Sequence, residues 1–311
     1  MSSHPNTLAG LSVPASIPND AMRLPMTMPR IADKHRLGEP LVMVTAYDFP
    51  SARAAEAAAV DLVLVGDSGA MTVLGHDSTV AVTVDEMLVL AKAVRRGLKN
   101  PFMIGDLPYG SYEISDEQAV ATAFRFVKEA GCDAVKLEGC GPMSVSRARA
   151  IVQAGIPVMG HVGLTPQTAT ALGGYRAQAK DASAAVKLVE GAQALEDAGC
   201  FAVVLEAIPS VVAETVVERL HVPTIGIGAG PSTAGQVLVF HDLLGIREGR
   251  GGKFVQRYAD LQEEMNAGVA AYAAEVRSKA YPQPQHEYAM EQAEADALRA
   301  ALTGDAVATQ A

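Results

Sequence analysis

Charged and polar side chains stand where short apolar runs of the sequence end. They are Asp67 and Ser68 after one run, Asp106, Lys136 and Glu138 at the next two, and His161 and Glu206 at two later runs. Burying this many charges without partners is costly, so core packing does not explain the set. Carboxylates that face one cavity repel each other unless some are protonated or a cation lies between them. The pattern therefore indicates a site for a divalent metal.

The carboxylates of Asp67, Asp106 and Glu138 suit Mg²⁺, which prefers hard oxygen ligands and keeps positions for water and substrate. Asp67 and Asp106 are predicted to bind directly, and Glu138 directly or through a water. Such a metal can chelate a 2-oxo acid and act as a Lewis acid on its ketone. Lys136 can neutralise the resulting enolate charge. It can also pair with Glu138, because residues two apart on a strand share a face.

Three other residues at the ends of runs each have two interpretations. Glu206, across the predicted fold from Asp67, suits the role of general base, or it belongs to the capped start of a helix before Pro209. His161 contacts the substrate or is a hydrogen-bonded core histidine. Asp48 supports the site or caps a helix, as Asp often does.

Eight apolar runs of four to seven residues must position these side chains. They span residues 41–46, 62–66, 102–107, 134–139, 157–162, 202–208, 224–228 and 237–240. Amphipathic stretches lie between them at 84–97, 116–130, 145–154 and 182–198, followed or ended by Gly97, Gly131, Gly155 and Gly199 as helix C-caps. Alternating strands and helices form a closed barrel or an open doubly wound sheet. The count of eight favours a (β/α)8 barrel, whose function lies at the carboxyl ends of its strands.

The glycine-rich run at 225–230 is weak evidence for a dinucleotide site. No acidic residue at the next strand end completes that motif. Close approach of the backbone is the preferred interpretation of these glycines.

Composition and charge restrict the classes of function. The net charge of −10 argues against nucleic-acid binding. No apolar stretch is long enough to cross a membrane, no signal peptide is recognisable, and three cysteines without a CxxC pair fit a reducing cytoplasm. We expect a disordered arm at residues 1–24, one barrel domain at 25–286 and an Ala/Glu-rich tail at 287–311.

Local sequences around the strand ends resemble one enzyme family. They are Val44-Thr45-Ala46-Tyr47-Asp48, Val65-Gly66-Asp67-Ser68, Gly75-His76-Asp77-Ser78-Thr79, Asp106-Leu107-Pro108, Val135-Lys136-Leu137-Glu138-Gly139, Gly160-His161-Val162-Gly163-Leu164-Thr165-Pro166-Gln167, Gly173-Gly174-Tyr175, Leu205-Glu206, residues 225–230 and His241-Asp242. Over about residues 25 to 286 the chain is similar to the 3-methyl-2-oxobutanoate (ketopantoate) hydroxymethyltransferases of pantothenate biosynthesis.

The resemblance implies a phosphoenolpyruvate-mutase-like barrel that assembles into a homodecamer. It implies one Mg²⁺ per subunit, held by Asp67, Asp106 and Glu138, and 5,10-methylenetetrahydrofolate as co-substrate. By the same resemblance Asp67, Ser68, Asp106 and Lys136 contact the oxo acid, and Glu206 accepts the proton. The chain departs from the family pattern at Gly69-Ala70, Ala81, Leu90, Ala179, Gly252 and Gln256.

Two other functions fit parts of the pattern. A Mg²⁺-dependent lyase or mutase of the same superfamily would use the same metal chemistry, but its loop cysteine in a Lys-Cys-Gly-His-type segment is missing. A weakly catalytic paralogue that binds an oxo acid is the other alternative.

Overall fold

The computed structural model describes residues 23–247, 249 and 251–303. Contacts divide the described residues into two compact units, the first ending at Asp260 and the second beginning at Leu261. The predicted arm at 1–24 lies outside the described residues except for Arg23 and Leu24. The predicted domain limits, 25–286 and 287–311, stay predictions.

Eight parallel strands in the first unit close into a barrel in sequence order, as predicted. The strands are β1 (Leu41–Thr45), β2 (Leu62–Val65), β3 (Phe102–Asp106), β4 (Ala134–Lys136), β5 (Val158–Gly163), β6 (Ala202–Glu206), β7 (Thr224–Ile227) and β8 (Gly235–Leu238). The register sets Asp106 beside Lys136 and Gly163 beside Glu206. Closure thus brings residues that are distant in sequence to one end of the barrel.

The eighth strand differs from its prediction because it begins and ends two residues earlier. It starts at Gly235, where an added Cβ would lie 2.4 Å from the carbonyl oxygen of Leu41 on β1. The first two residues of β8 are glycine and glutamine, which are not apolar. The hydrophobic pattern therefore could not show that the strand begins here. Phe240, predicted to end the strand, begins a helix instead.

Helices surround the barrel and account for most connections between strands. In the first unit they are α1 (Met28–Arg36), α2 (Phe49–Ala57), α3 (Gly69–Thr72), α4 (Val84–Gly97), α5 (Asp116–Ala130), α6 (Pro142–Gln153), α7 (Ala182–Asp197), α8 (Ser210–Val217) and α9 (Phe240–Leu244). Short 3₁₀ helices span Thr79–Ala81 and Pro166–Thr168. The predicted bounds of α4 and α5 are confirmed, and Thr83 and Ser115 cap these two helices.

Three of the four glycines predicted as C-caps have the left-handed backbone that such a cap requires. Gly131, Gly155 and Gly199 have φ angles of 69°, 90° and 98°. Gly97 does not, and the prediction was wrong there. It is the last residue of α4, and a Cβ on it would lie 2.6 Å from the Cβ of Ala52 in α2, so it is needed for close packing of the two helices.

The strand side chains alternate between two apolar layers. One layer fills the barrel with residues such as Leu64, Ile104 and Val204. The other layer lies between the strands and the surrounding helices. Strands buried on both faces are typical of parallel sheets, and this explains why the runs showed little polar alternation.

Helix α1 contacts the barrel at the amino ends of the strands. Its Ile31 is buried in the inner apolar layer. Lys34 Nζ lies 2.8 Å from Asp61 Oδ1, and Asp61 also accepts the backbone N–H of Val42. The residues at the amino ends of the strands therefore fix α1 to the barrel.

The glycine-rich segment at 225–230 packs closely against side chains. A Cβ on Gly228 would lie 2.7 Å from the ring of Phe254, and one on Gly230 would lie 2.7 Å from the Cβ of Ser210. Both glycines have positive φ angles, 65° and 86°. These two glycines are therefore needed for close packing against protein side chains, and an approach of the backbone to a ligand at this rim stays a prediction.

The second unit contains α10 (Leu261–Ser278), a 3₁₀ helix at Pro284–His286 and α11 (Gln292–Thr303). Neither α-helix buries a residue. Among the described residues, no helix is both long enough and apolar enough to span a membrane.

Candidate active site

Four of the predicted site residues lie on the inner face of the barrel at the carboxyl end. Asp106, Lys136, His161 and Glu206 each stand two residues after a side chain of the inner apolar layer. Because strand side chains alternate, all four point inward above that layer. Glu138 continues the same alternation just beyond β4 and is buried.

Lys136 is the cation at the centre of the acidic groups. Its Nζ lies 2.7 Å from Asp106 Oδ1 and 3.5 Å from Glu138 Oε1. The other oxygen of Asp106 accepts the backbone N–H of Asp67 at 3.2 Å. The pairing with Glu138 expected from the sequence is present, but the shorter contact joins Lys136 to the neighbouring strand.

Burial and mutual repulsion perturb the pKa values of these groups. Burial raises the pKa of Asp67 well above its usual value, and the charges of Asp106 and Glu138 raise it further. Burial also raises the pKa of Asp106, although Lys136 opposes the shift. Burial alone would lower the pKa of Lys136, but the carboxylates of Asp106, Glu138 and Asp67 outweigh burial and raise it. Lys136 therefore stays charged, and the raised pKa values of Asp67 and Asp106 reflect the crowding of acidic groups around it.

His161 lies between two carboxylates. Its Nδ1 is 3.3 Å from Glu138 Oε1, and its Nε2 is 3.2 Å from Glu206 Oε2. Neither contact has ordinary hydrogen-bond geometry. Burial and Lys136 would lower the pKa of His161, but the two carboxylates raise it to about 9. The ring is therefore charged at neutral pH and links Glu138 to Glu206.

Ser68 is held by a residue on the first strand end. Its Oγ lies 2.8 Å from the hydroxyl oxygen of Tyr47. Burial raises the pKa of Tyr47 to about 12, so the phenol stays protonated. Asp48, by contrast, accepts the backbone N–H of Ser51 and caps α2, which confirms the interpretation of Asp48 as a helix cap.

Three buried residues contact the site although no role was predicted for them. Tyr47 and Gln167 occur in the quoted motifs, whereas nothing in the sequence singled out Tyr112. Gln167 donates to Asp67, and Tyr112 donates to Gln167. These contacts span 100 and 55 residues, so only the closed barrel brings the partners together.

The donor set matches the chemistry of Mg²⁺ but is not a preformed cage. Three carboxyl groups provide hard oxygen atoms, and a divalent cation would relieve the mutual repulsion that helps to raise the pKa of Asp67. Yet among the residues that the structure describes, no three His, Cys, Asp or Glu side chains are grouped closely enough to hold a metal ion. The ammonium group of Lys136 lies between Asp106 and Glu138, so cation binding requires small side-chain shifts.

A separate cavity of about 860 Å³ lies beside loop 228–234 and the start of β1. Its ionisable lining residues are His35 and Glu39. It contains none of the predicted site residues.

One family profile matches most of the chain. The profile of ketopantoate hydroxymethyltransferase covers residues 25–284. The chain belongs to the ketopantoate hydroxymethyltransferase family. It is therefore a hydroxymethyltransferase that acts on small molecules, and the resemblance read from the strand-end motifs is confirmed.

Relatives in this family are about half identical to the chain. A 3-methyl-2-oxobutanoate hydroxymethyltransferase of Deinococcus radiodurans is 53% identical over 261 residues, which are 84% of this chain and 92% of the relative. A mitochondrial enzyme of the same name from Arabidopsis thaliana is 51% identical over 266 residues, which are 84% of this chain and 77% of the relative. The match extends over both the barrel and its loops.

Solved structures with the same fold include 2,3-dimethylmalate lyase, a member of the phosphoenolpyruvate mutase/isocitrate lyase superfamily. It aligns with a TM-score of 0.53 at 17% identity over 82% of this chain and 93% of the lyase. Phosphonopyruvate hydrolase in complex with oxalate and Mg²⁺ aligns with a TM-score of 0.55 at 13% identity over 92% of this chain and all of the hydrolase. These similarities confirm the predicted type of barrel.

Proposed function

We propose that the protein transfers a hydroxymethyl group from 5,10-methylenetetrahydrofolate to C3 of 3-methyl-2-oxobutanoate, giving 2-dehydropantoate (ketopantoate) for pantothenate and coenzyme A synthesis. The observation that supports this most is the continuous chain of contacts from Asp67 through Asp106, Lys136, Glu138 and His161 to Glu206. It places positive charge beside a potential base within one buried site of a hydroxymethyltransferase. Neither the lyase nor the non-catalytic alternative is favoured by the family match.

Asp67, Asp106 and Glu138 are the residues that would hold Mg²⁺, with Glu138 direct or through a water. When bound there, the ion would polarise the keto group of the oxo acid as a Lewis acid. Ser68, fixed by Tyr47, would bind the oxo acid together with Asp67, Asp106 and Lys136. Both ring nitrogens of His161 face carboxylates, Nδ1 facing Glu138 and Nε2 facing Glu206. His161 would therefore contact the substrate through the part of its ring that faces neither carboxylate.

Glu206 is the proposed general base. Its side chain is partly exposed at 16%, so it can meet a substrate that enters from the open end of the barrel. The C3–H bond breaks with its proton going to Glu206, and Lys136 stabilises the negative charge that develops on the keto oxygen. C3 bonds to the methylene carbon of the folate as the bond from that carbon to one folate nitrogen breaks. Water then supplies the hydroxyl group as the bond to the second nitrogen breaks, and tetrahydrofolate leaves with one proton from C3, passed through Glu206, and one from the water.

Two experiments test this function. Wild-type protein with oxo acid, methylenetetrahydrofolate and Mg²⁺ should form ketopantoate, and no product at micromolar enzyme would overturn the proposal. Without folate, the wild type should exchange the C3 hydrogen in deuterium oxide. Glu206→Gln should abolish exchange and leave the Mg²⁺ affinity nearly intact, whereas the exposed control Glu214→Gln should keep both. Unchanged exchange in Glu206→Gln would remove Glu206 from the role of base.

The homodecamer and the cytoplasmic location belong to the same proposal. Similarity to the family supports the decamer, and sedimentation velocity of the full chain tests it. The cysteine pattern supports a reducing compartment, although the relative from Arabidopsis thaliana is named as mitochondrial. Fractionation of the native cells would decide the compartment.

A further inference from the structure

One buried loop residue contacts two of the three proposed metal ligands. Gln167 lies in the 3₁₀ turn after β5 and is 3% exposed. Its Nε2 donates to Asp67 Oδ2 at 2.9 Å, and its backbone N–H donates to Glu138 Oε2 at 3.1 Å. Gln167 therefore constrains the orientation of both carboxylates.

The amide of Gln167 has only one orientation that satisfies its surroundings. Tyr112 Oη donates to Gln167 Oε1 at 2.6 Å, and the two hydrogens on Nε2 go to Asp67 and to the carbonyl of Leu107 at 2.9 Å. A phenol is protonated at neutral pH, so the hydroxyl of Tyr112 is the donor in this contact. A flipped amide would face the Tyr112 donor with its own N–H groups.

Tyr112 is itself fixed from outside the site. Its backbone carbonyl accepts from Arg147 Nε on α6 at 2.9 Å, and its hydroxyl accepts the backbone N–H of Glu138 at 3.3 Å. Thr122 on α5 holds the neighbouring carbonyl of Ser111 at 2.7 Å. The helices therefore determine the position of the hydroxyl that orients Gln167.

We propose that Gln167, oriented by Tyr112, is a positioning residue for the divalent cation site. Among the described residues, Asp67 Oδ1 accepts no hydrogen bond, whereas Oδ2 is taken by Gln167. Gln167 thereby holds the carboxylate so that one oxygen stays available to a cation. Hydrogen bonds of this kind to metal ligands commonly affect affinity by about 10- to 100-fold. The inference rests on the proposed function, because it requires the metal site.

Magnesium titration of the full-length protein, stripped with EDTA and free of substrate, tests the inference by calorimetry. Gln167→Met, which removes the amide and keeps the length, should weaken Mg²⁺ binding about 10- to 100-fold. Tyr112→Phe should weaken it about 2- to 10-fold, the equivalent of one neutral hydrogen bond. The control Gln236→Met loses amide bonds to Gly230 and Thr233, neither of which belongs to the proposed metal site, and should bind Mg²⁺ as the wild type does.

A double variant separates positioning from a general structural defect. Tyr112 reaches Asp67 only through the amide, and its 3.3 Å contact with Glu138 is to the backbone N–H and not to the carboxylate. Gln167→Met with Tyr112→Phe should therefore bind Mg²⁺ about as weakly as Gln167→Met alone, whereas the affinity losses of two independent defects would add. Additive losses, or wild-type affinity in Gln167→Met, would overturn the inference. If Gln167→Met fails to fold, wild-type affinity in Tyr112→Phe would overturn it. Absence of Mg²⁺ binding by the wild type would instead overturn the metal site itself.

Discussion

Removing the charge of Lys136 is the most direct test of the site's electrostatics. Its Nζ lies 2.7 Å from Asp106 and 3.5 Å from Glu138, which corresponds to attractions of about 6 and about 5 kcal/mol at an effective dielectric constant of about 20. The free-energy cost of removing the charged groups from water offsets most of these two attractions. Removal of one partner from a buried pair typically costs about 3–5 kcal/mol, because the other charge is left uncompensated. We expect this loss for Lys136→Met in EDTA at neutral pH.

The loss should depend on pH in a defined direction. Burial already raises the pKa values of Asp67 and Asp106, and loss of Lys136 raises them further. A carboxyl with a raised pKa takes up its proton in the folded protein before it does so in the unfolded chain, so lower pH favours the folded state. The stability difference between Lys136→Met and the wild type should therefore be largest near about pH 8 and should narrow towards about pH 5.

Denaturant unfolding with and without Mg²⁺ measures these effects. Mg²⁺ should stabilise Lys136→Met more than the wild type, because the ion supplies the missing positive charge, while kcat falls about 10²- to 10³-fold. Lys92→Met is the control, since Lys92 pairs with Glu129 at 3.2 Å on the surface and such a pair contributes about 0–1 kcal/mol. Equal stability of Lys136→Met and Lys92→Met in EDTA at about pH 8 would refute the reasoning.

Three further variants test separate parts of the structure. Glu56→Gln should lower the free energy of unfolding by about 2 kcal/mol, because burial raises the pKa of Glu56 but hydrogen bonds such as those from Asn100 outweigh it and lower the pKa. The stability difference between wild type and Glu56→Gln should be constant above about pH 4.5, the pKa of the glutamate in the unfolded chain. It should vanish as the pH falls through the lower pKa of Glu56 in the folded protein. Gly69→Ala, whose Cβ would lie 2.9 Å from Leu90 Cδ1, should cost about 1–3 kcal/mol, and Leu90→Ala in the same chain should recover part of it. Tyr47→Phe should raise KM for the oxo acid about 2- to 10-fold with little change in thermal unfolding, and an unchanged KM would exclude its action through Ser68.

Gly69 and Leu90 are distant in the sequence but are neighbours in the structure. The resemblance marks both Gly69 and Leu90 as departures from the family pattern, and the sequence alone indicates no relation between them. In the structure these residues meet, because a Cβ on Gly69 would approach Leu90 Cδ1 and Tyr47 Cδ1 within 3 Å. The two positions are therefore in contact. The side chain of Leu90 fills the space that a side chain at position 69 would need.

Eight strands, their order and the inward direction of the chemical residues follow from the sequence itself. Apolar runs identify the strands, and the two-residue period of a strand fixes which side chains share a face. Asp106, Lys136, His161 and Glu206 could be selected for this reason. The start of β8 at Gly235 could not be predicted in this way. Glycine is required there because a side chain would collide with the backbone of β1.

The partners of the selected residues were decided only by the tertiary structure. Lys136 and Glu138 share a strand face, so their pairing could be foreseen, but the shorter contact to Asp106 depends on the register between β3 and β4. Tyr112 and Gln167 carry no pattern of their own, and they reach Asp67 only because loops after different strands converge. Side-chain period is a local property of the chain, whereas contacts between strand ends depend on how the barrel closes.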